Sequence, residues 1–187
     1  MKETQRKRAF KGIPYRTTLD FDEITGPRKF EELVAAYFKS LPENRENNIA
    51  TVGSMNPSSV GPDGGVDIVV TLNMTDSLSG FQRKWVVQCK FHESSVGIKA
   101  LGAIQLTSLI EQYDAVGYLL ICKTNPTTQL ARLFKDLTEN KNGYQYLIWT
   151  GEQFKSRLLE QPSIHKQFFP EYHAYTELLS TIKQGQP

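Results

Sequence analysis

Two apolar, β-branched runs separated by a short polar gap limit how this chain can fold. Val66 to Leu72 (VDIVVTL) and Trp85 to Cys89 (WVVQC) both favour a strand. Asn73 to Gly80 (NMTDSLSG) is rich in turn formers, so the runs are expected to form an antiparallel hairpin, with Gln82 to Lys90 returning along the first strand. Pro62-Asp63-Gly64-Gly65 precedes the hairpin as a turn, because Asp and Gly tolerate left-handed backbone and Pro presets its own dihedral. Asp67 then falls near the start of one strand, and Gln88 and Lys90 near the end of its partner. Side chains alternate along a strand, so Gln88 and Lys90 share one face and Val87 and Cys89 the other. An Asp, a Gln and a Lys can therefore meet at one spot. A carboxylate and an amide oxygen can hold a hard cation such as Mg²⁺. A lysine beside them can stabilise phosphate charge or orient a water. Together these groups are the equipment of a metal-dependent phosphodiesterase.

The remaining chain reads as helices and strands around this hairpin. A helix is expected from Gly26-Pro27 to Leu41-Pro42, with Phe30, Leu33, Val34, Tyr37 and Phe38 at helical spacing. On that helix Glu31 falls at the edge of the apolar stripe and Glu32 on the wet face. Asn47 to Gly53 is expected as a short strand. A helix capped at Ser94-Ser95 carries Ile98, Leu101, Ile104, Leu109 and Ile110. Ala115 to Cys122 (AVGYLLIC) is apolar on both faces and reads as a central strand, reached by a right-handed parallel crossover. A helix over Asn125 to Leu137, a strand over Tyr144 to Trp149 and a short amphipathic helix over Gly151 to Leu159 follow.

Length and composition fit one domain. The 187 residues, 39% hydrophobic and 11% aromatic, are enough for a sizeable core. No apolar run reaches the roughly 20 residues of a membrane span. The start MKETQRKRAF lacks the apolar segment of a secretion signal, so a cytoplasmic location without a membrane partner is expected. Cys89 and Cys122 sit in apolar runs and read as buried reduced thiols. A net charge of +2 does not argue for nucleic acid, so any phosphate-binding surface must be local. Residues 1–20 form a basic N-terminal tail, read either as a solvated segment or as a phosphate-binding arm. Residues 161–187 read as a C-terminal extension, a linker toward a further domain or partner.

GPDGGVD followed by VVQCK resembles the Mrr-like restriction endonuclease family of the PD-(D/E)xK nuclease superfamily. In that branch the acidic residue of the second half-motif is typically Gln, as in Gln88-Cys89-Lys90. The acid after the glycines matches Asp67, and the Phe30-Glu31 pair matches the first helix of the family. The resemblance covers about residues 30–159. It implies an α/β, restriction-endonuclease-like core in which helices flank a central mixed β-sheet in αβββαβ order, with the nuclease domain over 21–160. It also implies a metal-dependent DNA endonuclease, an effector of restriction or antiviral defence that cuts phosphodiester bonds with Mg²⁺ or Mn²⁺. Asp67, Gln88, Lys90 and Glu31 are the expected catalytic residues. Asp67, Glu31, Gln88 and the backbone carbonyl of Cys89 are the expected metal ligands. DNA, a sensor or regulatory domain and a second copy of the chain are the expected partners.

Each residue also has a plainer reading. Asp67 can be a turn-exit residue, although a strand-embedded carboxylate is costly without a partner or a metal. Gln88 either ligates through its oxygen or positions water. Asp63 reads as a turn holder and His92 as structural. Glu31 reads equally as a solvated helix carboxylate. Arg83, Lys84 and Lys99 read as solvated, and Trp85, Tyr118 and Trp149 as core. A catalytically silent interaction module is the rival from another class, and an RNase or junction-cleaving nuclease would use the same site.

Overall fold

The computed structural model describes residues 15–41, 48–51, 66–75, 77–102, 105–140 and 143–184, the segment 48–51 by its backbone alone. The Asp63 turn, Ile104 and the basic residues before position 15 lie outside the described residues.

Helix α1, Pro27–Ser40, starts after Gly26, whose φ of 145° suits only glycine. Proline in the first turn loses no helical hydrogen bond. Phe30, Leu33, Val34, Tyr37 and Phe38 are buried, as their spacing predicts. Five strands form one sheet in the order β1-β2-β3-β4-β5: β1 Asn48–Thr51, β2 Ile68–Thr75, β3 Gly80–Lys90, β4 Gly117–Cys122 and β5 Gln145–Trp149. β1, β2 and β3 are antiparallel neighbours, whereas β3, β4 and β5 run parallel. The β2–β3 hairpin pairs Ile68 with Val87 and runs to Thr75 opposite Gly80. All six residues of β4 are buried, as expected of a central strand covered on both faces. Helix α2 is Leu106–Gln112, α3 Thr128–Glu139, α4 Gly151–Leu159, α5 Pro162–Phe168 and α6 Pro170–Gln184.

Two expected helix starts are displaced, for one reason. Val96 and Pro126 form a β-bridge. The Val96 N–H donates to the Asn125 carbonyl at 3.0 Å, and the Thr127 N–H donates to the Val96 carbonyl at 2.8 Å. This bridge holds both chain segments extended, so neither Ser94-Ser95 nor Asn125 can open a helix. After β3 the chain makes a 3₁₀ turn at Ile98–Leu101, ends it on Gly102 at φ 69°, and enters α2 later. Helix α3 starts at Thr128 instead, with the Thr127 hydroxyl accepting the Leu130 N–H.

The sheet separates two buried clusters. One holds Phe21, Phe30, Tyr37, Phe38, Val87, Cys89, Leu119 and Phe154, with Ile164, Phe168 and Phe169 from the segment after position 160. The other holds Val86, Tyr118, Leu120, Cys122, Leu130, Phe134 and Tyr146. The carboxyl ends of β3 and β4 lie side by side, where the Lys123 N–H donates to the Lys90 carbonyl at 2.9 Å. Helix α4 starts against the same place, and a Cβ on Gly151 would overlap the Lys123 carbonyl oxygen. Glycine is therefore required for that close approach.

Candidate active site

Asp67 stands one residue before β2, and one step beyond the Ile68–Val87 pair it comes opposite Gln88. Its backbone N–H donates to the Val87 carbonyl at 3.0 Å. Its carboxylate Oδ2 accepts the Cys89 N–H at 2.6 Å, a short charge-assisted bond. The side chain thus takes the place of a ladder carbonyl, which ties the carboxylate to the backbone between Gln88 and Lys90. The hairpin expectation brings these three residues to one end of one strand pair, and that is where they lie.

Gln88 is 2% exposed. A buried amide needs partners, and its Oε1 accepts the Tyr118 O–H at 2.6 Å. Burial, followed by the Asp67 charge, pushes the Tyr118 phenol well above its usual range, so the hydroxyl stays protonated and donates. Lys90 is half-buried at the end of β3, paired in register with Cys122 of β4.

Glu31 approaches from α1. Burial pushes its carboxyl up, and the Asp67 charge pushes it further, while Arg28 and Lys90 oppose the shift. Asp67 and Lys90 therefore lie within electrostatic reach of Glu31, as its place at the edge of the apolar stripe suggests. The preceding residue, Phe30, is fully buried, with rings from Phe21, Phe91 and Phe154 around it at 5.4 to 5.9 Å. That anchor fixes the turn of helix carrying Glu31. Cys89 presents a buried thiol to the same side of the sheet, raised well above its usual range by burial and by Asp67. It can offer the site its backbone rather than a thiolate.

Among the described residues, no group of three or more His, Cys, Asp or Glu side chains is placed to hold a metal ion. The donors available here are two carboxylates, an amide oxygen and a main-chain carbonyl. That all-oxygen set fits a hard divalent cation that keeps several waters. The mutual repulsion of Glu31 and Asp67 is the electrostatic condition that such a cation relieves.

Several residues stand apart from the site. His92 and Lys99 are exposed. Lys84 reaches Asp114 at 3.4 Å, and Arg83 lies over the Trp85 ring and donates to Gln145. Both contacts are exposed, and as neighbours in β3 the two side chains project to opposite faces of the sheet. Arg16 pairs with Glu171 at 3.0 Å and Asp22 at 3.5 Å. Trp85 and Trp149 are half-buried and line an apolar cavity of about 200 Å³ with Phe38 and Leu72.

Two neighbours of the site escaped the sequence reading. The residues alone put Tyr118 in the core but not beside Gln88. A tyrosine in an otherwise apolar central strand was the available signal, because its hydroxyl needs a partner when buried. Lys123, directly after β4, has a side chain only 10% exposed and reaches Glu93 at 2.6 Å. Its ammonium also sits 4.5 Å from the Phe91 ring centroid. No local pattern marks it.

The family model for restriction endonucleases of the Mrr catalytic type matches residues 22–158. The chain belongs to the restriction endonuclease family, whose members are nucleases acting on DNA and generally use divalent metal ions. No curated protein sequence matches it. Among solved structures, it resembles the DNA modification-dependent restriction endonuclease AspBHI with a TM-score of 0.52 and 18% identity, over 72% of this chain and 31% of that one. It also resembles the MspJI restriction endonuclease in complex with a 27-mer oligonucleotide, with a TM-score of 0.49 and 13% identity, over 96% of this chain and 34% of that one. The chain therefore spans about a third of the length of these structures. The AspBHI match shows that the α/β core is the restriction-endonuclease one. No described helix is long and apolar enough to cross a membrane.

Proposed function

We propose that this chain is the catalytic module of a metal-dependent DNA endonuclease, spanning about residues 21–160 and serving in restriction or antiviral defence. The observation that carries this reading is the convergence of Asp67, Gln88 and Lys90 at one end of the β2–β3 pair, with Glu31 in electrostatic contact from α1. Asp67, Glu31, Gln88 and the Cys89 backbone carbonyl would hold Mg²⁺ or Mn²⁺. When bound, the cation supplies Lewis acidity toward water and phosphate oxygen.

The chain's own groups do the remaining work. Lys90 places a positive charge where a phosphate gains negative charge during hydrolysis. The Cys89 N–H holds the Asp67 carboxylate in its orientation. Gln88 positions a ligand or a water without adding a third negative charge. With a net charge of +2, DNA affinity rests on local contacts, so a sensor domain, a partner or a second copy of the chain would bring the module to its target.

Plasmid cleavage by purified protein with Mg²⁺, with Mn²⁺ and with EDTA tests this. Nicking or linearisation that needs the metal and is lost in Lys90→Ala is the expected result. Cleavage that persists in EDTA, or is unchanged in Lys90→Ala, would exclude it. A well-folded protein whose melting temperature ignores both metals would favour a silent scaffold.

A further inference from the structure

Gln88 is the one member of the site whose working atoms sit at the end of three rotatable bonds and carry no charge. Unless something holds it, an amide can offer either its oxygen or its nitrogen to a ligand. Tyr118 is fully buried and Gln88 nearly so. The two side chains lie on the same face of adjacent parallel strands, because Val86 pairs with Tyr118 and Gln88 with Leu120. Tyr118 is thus set two residues back from Gln88 toward the start of the strands. Its own ring is fixed by Phe134 of α3, 6.0 Å away between centroids. The Tyr118 O–H reaches back to Gln88 Oε1 at 2.6 Å.

We propose that Tyr118 is the positioning residue for Gln88, holding the amide in a single orientation at the active site. The inference rests on the nuclease reading above. One lone pair of Oε1 is committed to the phenol, and the amide nitrogen is turned away from Tyr118. Gln88 therefore meets substrate, water or cation with a fixed N–H pair and the remaining oxygen lone pair. Outer groups that orient site residues in this way typically change activity or metal affinity by about 10- to 100-fold when removed. Tyr118 touches none of the reacting atoms and acts only through Gln88.

The test is a double-mutant cycle. Tyr118→Phe removes one oxygen atom and leaves the ring packing in place. Its kcat on duplex DNA with Mg²⁺ is expected to fall by about 10- to 100-fold, with KM for DNA unchanged. In a Gln88→Ala background the same change is expected to have no further effect, because the phenol then has nothing to position. A loss of equal size in both backgrounds, or a single-variant kcat within about twofold of wild type, would overturn the proposal.

A second readout does not depend on cleavage. The side-chain amide resonances of Gln88, assigned by their disappearance in Gln88→Ala, should move toward the values of solvent-exposed glutamines in Tyr118→Phe. If they stay in place, Tyr118 does not hold Gln88. If they move while wild-type protein neither cleaves DNA with any metal nor gains melting temperature from one, the nuclease reading fails and the Tyr118–Gln88 restraint still stands.

Discussion

The two faces of the sheet bury side chains of different chemistry. On the α1 side, Phe21, Phe30, Tyr37, Phe154 and Trp149 interlock edge-on or stacked at 5.4 to 6.3 Å. On the α2–α3 side the cluster is mainly aliphatic, and its tyrosines carry hydroxyls that need partners. Tyr118 donates to Gln88, and Tyr146 pairs with Thr107 at 2.9 Å. The rings around Phe30 are all phenyl and, once interlocked, resist displacement. That face suits the fixing of a helix, and it fixes the turn of α1 that carries Glu31. A face with buried hydroxyls can instead set the direction of a polar group, as it does for Gln88. The site lies where the two kinds of control meet, at the carboxyl end of β3.

The largest effect should come from the aromatic face. Phe30→Ala removes a fully buried ring beside Glu31 and is expected to destabilise the fold by about 3–5 kcal/mol in chemical denaturation. A loss below about 1 kcal/mol would mean that the rings do not form a rigid wall.

Lys90→Ala separates the site from the scaffold. It should lower kcat by about 10²–10³-fold, the scale of losing one group that stabilises developing charge. Its melting temperature should stay close to that of the wild-type protein. A comparable fall in stability would show Lys90 to be part of the core.

The helix caps compare the two faces more finely. Thr150 caps α4 in a reciprocal box, its hydroxyl accepting the Gln153 N–H while Gln153 accepts the Thr150 N–H. Thr127 caps α3 with a single bond to the Leu130 N–H. Each change to Ala should cost about 1 kcal/mol, with Thr150 costing more. The reverse order would make the Val96–Pro126 bridge the stronger constraint.

The smallest effect at neutral pH concerns the thiols. Burial pushes Cys122 up from 9.0 to about 12, with Lys90 opposing, and Cys89 is also raised. An unfolded chain ionises these groups first. Between about pH 9 and 12 the folded state therefore binds more protons than the unfolded one, and stability falls as pH rises through that window. At pH 8 a disulfide reagent should label neither cysteine until denaturant is added. Rapid labelling of the folded protein would mean that one face opens locally.

Much of this architecture was legible in the residues. The apolar stripe of α1, the hairpin that carries Asp67 and Gln88, and the doubly buried β4 follow from local periodicity, which depends only on backbone repeat. The displaced starts after β3 and β4 did not follow from it. Val96 and Pro126 are 30 residues apart, and only their bridge shows why no helix opens at Ser94 or Asn125. The Phe30-Glu31 pair pointed to the site through family resemblance and its position on the stripe, but its coupling to Asp67 depends on how α1 lies across the sheet.

By itself the sequence determined most element types between residues 27 and 159, the shared end of Asp67, Gln88 and Lys90, and the family, but not the two helices after position 160. These depend on short-range rules: alternation along a strand, the reach of one hairpin and a compact motif. Only the tertiary structure decided which amide, phenol and ammonium groups meet. Tyr118 reaches Gln88 because β3 and β4 run parallel in one particular register, and Lys123 reaches Glu93 because two loops lie side by side. Register and loop apposition are set by the packing of the whole core, and no local stretch of residues encodes them.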